Sequence, residues 1–404
     1  MRPDLFRHII TFDEALRRVI AGAHPISRIE RVALGDAAGR VSASDVLAAM
    51  DVPPFDRAAM DGYALRSEDV GAAHTNAPVT LTCLDQIFTG YISPHTITAG
   101  TCAEIGTGAP MPTGADAVVM VERTSRTGAL VAIREATRAG QNVGRRGADI
   151  AAGQPAVRAG DYIGPARAGA LAAIGASSLD VFARPSVAIL STGHEVILPG
   201  HALPAGHIYD VNGTTIAAIV REHGGVPVPL ATVDDSIDAL AASLVHASTF
   251  DVIVSSGGSS VGGRDLLLDA LQRCGTVVFH GIAVKPGKPT LFGHVGNTPI
   301  FGMPGNPTSC LSNAYILLIP FLRTMARLPE WQPVRHTLPL GRAVAALADR
   351  HQFYTVRIVA GVAVPAFKSS GDITSMAAAD GYIEVPAGEV GYAAGDLVTV
   401  VRMP

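Results

Sequence analysis

The sequence predicts a multidomain α/β plus β protein, in which one α/β domain is flanked by β-rich modules. Three observations carry this. Strand-like and helix-like segments alternate between residues 187 and 325. Short β-rich runs separated by Gly, Pro and Thr clusters fill residues 47–149. Beyond Pro329-Glu330 the chain returns to β character. Alternating strands and helices imply a mostly parallel sheet with helices on both faces.

The elements follow in order. Thr11 with Glu14 forms a capping box, and Leu16, Val19 and Ile20 keep helical spacing behind it. Runs 78–83, 117–122 and 130–134 read as strands of an inserted β-rich domain, 47–149. Residues 165–175 are alanine-rich at helical spacing, so 1–46 with 150–180 reads as an elongated helical and linker domain. Arg184-Pro185 marks a boundary, and 181–328 reads as the α/β domain. Its expected strands are 187–191, 226–230, 252–255 and 277–280. Its expected helices start at Asn212 as a cap (with Ile216, Ile219 and Val220 on one face), at Ser236 as a cap (with Ile237, Leu240, Leu244 and Val245), at 266–271 and at 307–325. Strands 353–359, 382–385 and 397–401 make a C-terminal β domain, 329–404.

At 404 residues the chain has room for two to four domains. Hydrophobic residues make up 48% and charged ones 16%, which favours large cores. The net charge of -4 and the lack of a basic stripe give no support for nucleic-acid binding. Cys83, Cys102, Cys274 and Cys310 show no CxxC spacing, so they read as buried small hydrophobes in a reducing cytoplasm. The start of the chain lacks a signal-peptide pattern, and the most apolar run, 314–322, contains Pro320 and is too short for a membrane span. A cytoplasmic protein without membrane contact is expected.

The chemistry concentrates between Ser255 and Pro307. Residues 252–263 read VIVSSGGSSVGG, a buried strand running into a glycine loop before a helix near Asp265. Glycines let backbone amides approach a ligand, and a helix N-terminus favours negative charge, so Ser255, Gly257, Gly258, Ser260 and Gly262 are candidate substrate-binding residues. A tight strand-to-helix turn without a ligand would look the same. Lys285 and Lys288, held between Pro286 and Pro289, add point charges suited to phosphate. Pro304, Gly305 and Asn306 precede a helix with Pro307 at its first position, where free amides gather. Loops following strands of one sheet converge on one face. Asp265, Glu195 and Asp234 all follow strands, so they are candidate ligands for magnesium. Asp234 reads equally well as a helix cap, whereas Asp265 lies in the glycine loop. Near Pro53-Pro54-Phe55-Asp56, the segments around Asp61 and Thr107 read as turns by pattern alone.

MDGYA at 60–64, GTGAPMPTGADAVVMVE at 106–122, RRGADIAAG at 145–153, STGHE at 191–195, IYDVN at 208–212, SSGGSSVGGRD at 255–265, KPGKP at 285–289 and MPGNP at 303–307 occur in this order. Together they resemble the molybdopterin molybdenumtransferase family, which includes bacterial MoeA and the gephyrin E domain. The resemblance spans nearly the whole chain and extends to Ala378-Ala379-Asp380-Gly381-Tyr382. It implies a molybdopterin-binding-like three-layer α/β domain and a terminal β-barrel-like domain. It also implies a homodimer whose cleft is built by the α/β domain of one subunit and the inserted β domain of the other. Molybdopterin adenylyltransferase and molybdenum enzymes become possible partners. The implied reaction inserts molybdenum from molybdate into adenylylated molybdopterin with Mg2+ and releases AMP. In that reaction Lys285 and Lys288 would bind anionic oxygens, and Asp265, Glu195 and Asp234 would hold the metal. Asp61 and Thr107 would reach in from the partner, and Asp149 would shape the cleft.

The chain departs from the family pattern at several points. Ala58 and Ala59 stand together where a serine is common, and Ser259 and Gly263 alter the glycine loop. His194 replaces a frequent aspartate, and Gly144 and Gly281 fall where many members carry arginine or lysine. A specialised paralogue acting as a cofactor-binding scaffold is the alternative reading. A molybdopterin adenylyltransferase, resembling residues 180–325 alone, is a third, and the β modules on both sides argue against it.

Overall fold

A computed structural model describes residues 9–232, 236–257, 265–369 and 371–403. The first helix, α1 (Phe12–Ala21), starts as its sequence predicts: Thr11 Oγ1 accepts from the Glu14 N–H at 3.3 Å. The reciprocal half of the box is different, because the Glu14 carboxylate turns to Arg18 Nε at 2.6 Å, one helical turn on. Ala15 and Val19 are fully buried in the same apolar cluster as the strands and helices of the 182–325 region.

The described residues form two compact units, one of residues 31–38 and 42–181, the other of 1–30, 39–41 and 182–404. The N-terminal helix therefore clusters with the α/β region rather than with 150–180, which differs from the expected grouping. In the first of these units a six-stranded sheet runs β4–β1–β3–β2–β6–β5. Its strands are β1 (Gly62–Leu65), β2 (Val79–Ile87), β3 (Thr101–Ile105), β4 (Ala117–Met120), β5 (Thr124–Thr127) and β6 (Leu130–Ile133). Only β2 and β3 pair in parallel; the other pairs are antiparallel. Residues 150–181, with α2 (Pro165–Ala173), close a separate apolar cluster around Leu171, Ile163 and Val181.

The other unit carries a six-stranded sheet in the order β8–β7–β9–β12–β11–β10. It is built from β7 (Ser186–Ser191), α3 (Val211–Glu222), β8 (Val226–Pro229), α4 (Ile237–Ala247), β9 (Val252–Ser256), α5 (Leu266–Cys274), β10 (Thr276–His280), β11 (Leu291–Val295) and β12 (Thr298–Met303). The strands β8, β7, β9 and β12 are parallel, whereas β11 runs antiparallel to both β12 and β10. Two alternate antiparallel pairings return β10 to the direction of the parallel set. Side chains alternate along β9 accordingly: Val252 and Val254 join the cluster of α1, α3 and the helices after β12, and Ile253 joins that of α4 and α5. This is the expected three-layer arrangement, with a hairpin around Gly296 that the sequence reading did not contain.

The single helix expected over 307–325 is α6 (Pro307–Asn313), a π-turn at Ala314–Leu318, and α7 (Ile319–Met325). Pro320 has no N–H for the helical ladder, and the π-turn absorbs that loss. A final sheet joins β13 (Arg335–Pro339), β14 (His351–Val359), β15 (Val362–Pro365), β16 (Gly381–Val385) and β17 (Leu397–Arg402). A short strand at Val284–Lys285 is its edge, pairing in parallel with His351 and Gln352.

Candidate active site

The carboxyl ends of β7, β9, β12 and β10 leave the same edge of the α/β sheet, so the loops starting at Thr192, Gly257, Pro304 and Gly281 gather there. Backbone approaches backbone closely at this edge. Gly257 has φ 97°, and a Cβ on it would lie 2.5 Å from the Thr192 carbonyl oxygen. Only glycine fits both conditions. The Thr192 N–H donates to Ser256 O at 3.0 Å, and a Cβ on Gly305 would lie 3.6 Å from Gly257 Cα. Ser255 is fully buried, and its Oγ has no hydrogen-bond partner among the described residues.

The α3 N-terminus faces the same edge. Its cap is Asp210, not Asn212 as the sequence suggested: Asp210 Oδ1 accepts from Gly213 N–H at 2.8 Å, and Oδ2 accepts from the Ser191 hydroxyl. Asn212 sits inside the first turn and its Nδ2 donates to Gly305 O at 2.8 Å, tying α3 to the turn after β12. Neither Asn212 nor Asp210 is among the candidate residues of the sequence, although both lie in the IYDVN motif. Spacing alone does not tell which of two adjacent polar residues takes the cap.

Pro304 is buried, with Gly305 and Asn306 exposed beyond it. Asn306 occupies the cap position of α6 without a side-chain cap bond, and Pro307 is at the first turn as expected. Lys285 is exposed and Lys288 half-buried. Their turn is held from inside: Gly287 O accepts from Asn313 Nδ2 at 2.9 Å and from Thr290 Oγ1 at 2.8 Å. Gly287 has φ 108°, and a Cβ there would collide with the Asn313 amide. Gly281, too, has positive φ, 101°, where a long cationic side chain would be strained.

The expected metal set is not assembled by the described residues. Asp265 is 5% exposed and is the cap of α5; its Oδ1 accepts from Leu268 N–H at 3.1 Å. The glycine motif before Asp265 predicts a ligand-loop residue and no cap; the capping geometry corrects this. Its other oxygen, Oδ2, lies 3.0 Å from His280 Nε2. Glu195 is half-buried, and its carboxylate folds over Gly193. Among the described residues no three His, Cys, Asp or Glu side chains gather as a metal cluster. Asp234, Gly258, Ser260 and Gly262 lie outside the described residues, as do Ser259 and Gly263.

In the β-rich unit, Asp61 and Thr107 do meet. One oxygen of Asp61 accepts from the Thr107 N–H at 2.6 Å and from its hydroxyl at 2.7 Å. These bonds, the backbone one foremost, hold the Asp61 carboxyl below its ordinary range. Asp149 is exposed, and its N–H donates to Val52 O at 3.0 Å. The neighbouring Arg145-Arg146 pair is fastened by Asp56 and Asp51, at 2.9 Å and 2.6 Å. All four cysteines are free, and among the described residues no helix is long and apolar enough to cross a membrane.

A three-layer α/β domain with glycine turns and helix starts at the carboxyl edge of its sheet, flanked in sequence by two β-rich regions, defines the class of protein. The comparisons agree region by region. Residues 10–175 match the MoeA N-terminal region (domain I and II), 188–324 a probable molybdopterin binding domain, and 337–403 the MoeA C-terminal region (domain IV). The chain belongs to the molybdopterin molybdenumtransferase family. It is 35% identical over 397 residues to molybdopterin molybdenumtransferase 2 of Mycobacterium tuberculosis, covering 95% of this chain and 97% of that one. Against the molybdopterin molybdenumtransferase of Haemophilus influenzae it is 29% identical over 401 residues, covering 97% and 98%. A solved molybdopterin biosynthesis MoeA protein from Pyrococcus horikosii superposes with a TM-score of 0.83 at 36% identity, covering 98% and 99% of the two chains.

Proposed function

We propose that this protein is a molybdopterin molybdenumtransferase of molybdenum cofactor biosynthesis. It takes molybdate and adenylylated molybdopterin and releases AMP and the molybdenum cofactor. The observation that carries this reading is the close approach of the Gly257 and Gly305 turns at the carboxyl edge of adjacent parallel strands, with the lysine turn following β10, which runs in the same direction. There the backbone comes within reach of a bound anion, and exposed Lys285 supplies a full positive charge for phosphate or oxyanion oxygens. Asn313 fixes the lysine turn from beneath, so the charge is presented without much loss of chain freedom.

The finer parts of the proposal are a homodimer, a divalent cation and a cytoplasmic location. In the dimer, Asp61 and Thr107 of the β-rich unit would complete a site on the other subunit, with Asp149 nearby. A magnesium ion would arrive with the phosphates of the substrate, with Glu195 and Asp234 as its protein ligands, and would neutralise charge on the leaving phosphate.

The test is direct. Purified protein is mixed with adenylylated molybdopterin, molybdate and magnesium, and AMP and cofactor are measured. AMP release that depends on molybdate is the expected result. Cofactor binding without AMP release points instead to a scaffold, and ATP-dependent adenylylation of molybdopterin to an adenylyltransferase. Lys285→Ala should weaken substrate binding by about tenfold, more at low than at high salt, and leave folding unchanged.

A further inference from the structure

We propose that His280 is a positioning residue for Asp265, and that this buried pair sets how the first turn of α5 is presented; the proposal rests on the molybdenumtransferase reading of that site. His280 ends β10, and its side chain is 8% exposed; the side chain of Asp265 is 5% exposed. Nε2 of His280 lies 3.0 Å from Oδ2 of Asp265. The two residues are 15 positions apart and belong to different elements, so this contact exists only in the folded sheet.

The arrangement divides the work of one carboxylate. Oδ1 faces the helix and accepts from the Leu268 N–H at 3.1 Å, and Oδ2 faces the strand and accepts from the imidazole Nε2–H. The helix bond alone fixes the Cα–Cβ torsion but leaves the carboxylate latitude to turn about its Cβ–Cγ bond. The imidazole removes that freedom, because β10 is itself held in the sheet: His280 is the register partner of Leu291, and the following Gly281 N–H donates to Thr290 O at 2.8 Å. A buried carboxylate also requires a partner for its charge. His280 supplies one, so the Asp265 carboxylate stays turned inward at the start of α5. The amides of Leu266 and Leu267, which have no partner inside the helix, are thereby set at the ligand edge in one orientation.

Two substitutions separate this role from simple core filling. The amide nitrogen of His280→Gln reproduces the position of Nε2, whereas that of His280→Asn falls short of Asp265. Three measurements on the full chain are informative: hydrogen exchange at the Leu268 amide, calorimetric binding of adenylylated molybdopterin without molybdate, and steady-state molybdenum insertion. H280N should speed exchange at Leu268 about tenfold while Leu271 is unchanged. It should raise Kd and KM about tenfold with kcat within about twofold, and H280Q should restore all three. In the double variant with Asp265→Asn, the losses should be no larger than in the worse single variant, because the pair acts as a unit. Unchanged Leu268 exchange in H280N overturns the proposal. So do additive losses, or a lowered melting temperature with Kd and KM intact. If the unaltered protein neither binds the pterin nor releases AMP, the molybdenumtransferase reading fails, and Leu268 exchange alone still decides the positioning role.

Discussion

The Thr107 N–H and hydroxyl both donate to a single oxygen of Asp61, at 2.6 and 2.7 Å, leaving its second oxygen toward solvent. A carboxylate held this way is ionised and aimed, which suits a group that accepts a hydrogen bond from a substrate or offers it charge rather than one that takes its proton. The depressed pKa means that ionisation is complete at neutral pH and is lost only as pH falls below the ordinary value of 3.8. Asp61→Asn should lower kcat/KM by about 100-fold, comparable to the loss of a transition-state donor or acceptor, with no change in melting temperature. Thr107→Val keeps the backbone bond but loses the hydroxyl one, so the Asp61 titration followed by NMR should move up toward 3.8.

Gly257 and Gly305 face the same edge but should respond differently to a methyl group. Gly257→Ala places Cβ 2.5 Å from Thr192 O at a positive φ, so a cost of about 1–3 kcal/mol is expected. Gly305→Ala meets nothing nearer than 3.6 Å and should change stability by less than about 0.5 kcal/mol. Urea denaturation of both variants compares them.

Asn313 is fully buried beneath the lysine turn. Asn313→Ala removes one of the two side-chain bonds to Gly287 O, at a cost of about 1–3 kcal/mol. Since the turn carries Lys285 and Lys288, KM for the anionic substrate should rise while kcat holds. Equal KM in variant and parent would show that the turn needs no support from α6.

His223 closes α3, is 3% exposed, and has its pKa pushed down to about 4, by burial first and by the Arg323 cation second. A helix C-terminus usually favours the imidazolium; here desolvation wins. In the unfolded chain the group titrates near 6.5, so the unfolded state binds the extra proton first. Stability from the neutral imidazole is full above 6.5 and declines as pH falls toward about 4. About 3 kcal/mol separates the two ends of that window, of which about 2 kcal/mol is lost by pH 5. His223→Gln should flatten this part of the profile, as measured by urea unfolding at pH 7.5 and 5.

Much of the fold was legible because its signals are local. The Thr11 and Ser236 caps, the strands of 187–256 and the β modules on either side follow from periodicity and turn chemistry within a few residues. The neighbouring turns at Gly257 and Gly305 were legible too, since parallel strands send their loops to one edge. Asp265 was not legible as a cap, because its partners Leu268 and His280 are respectively local and remote, and the glycine motif around it suggested a ligand instead. The Val284–Lys285 strand was hidden for a similar reason: a lysine beside a proline reads as loop, and its pairing partner lies at 351–352.

His280, Asp210 and Asn313 mark where sequence stopped. By itself the sequence determined the alternation of strands and helices in the α/β region, its layering and the family. The tertiary structure decided which buried polar group each carboxylate and amide meets, because those partners are 15 to 26 residues away or face each other across strands. A hydrogen bond at about 3 Å depends on the packing of whole elements, and no window of sequence contains that distance.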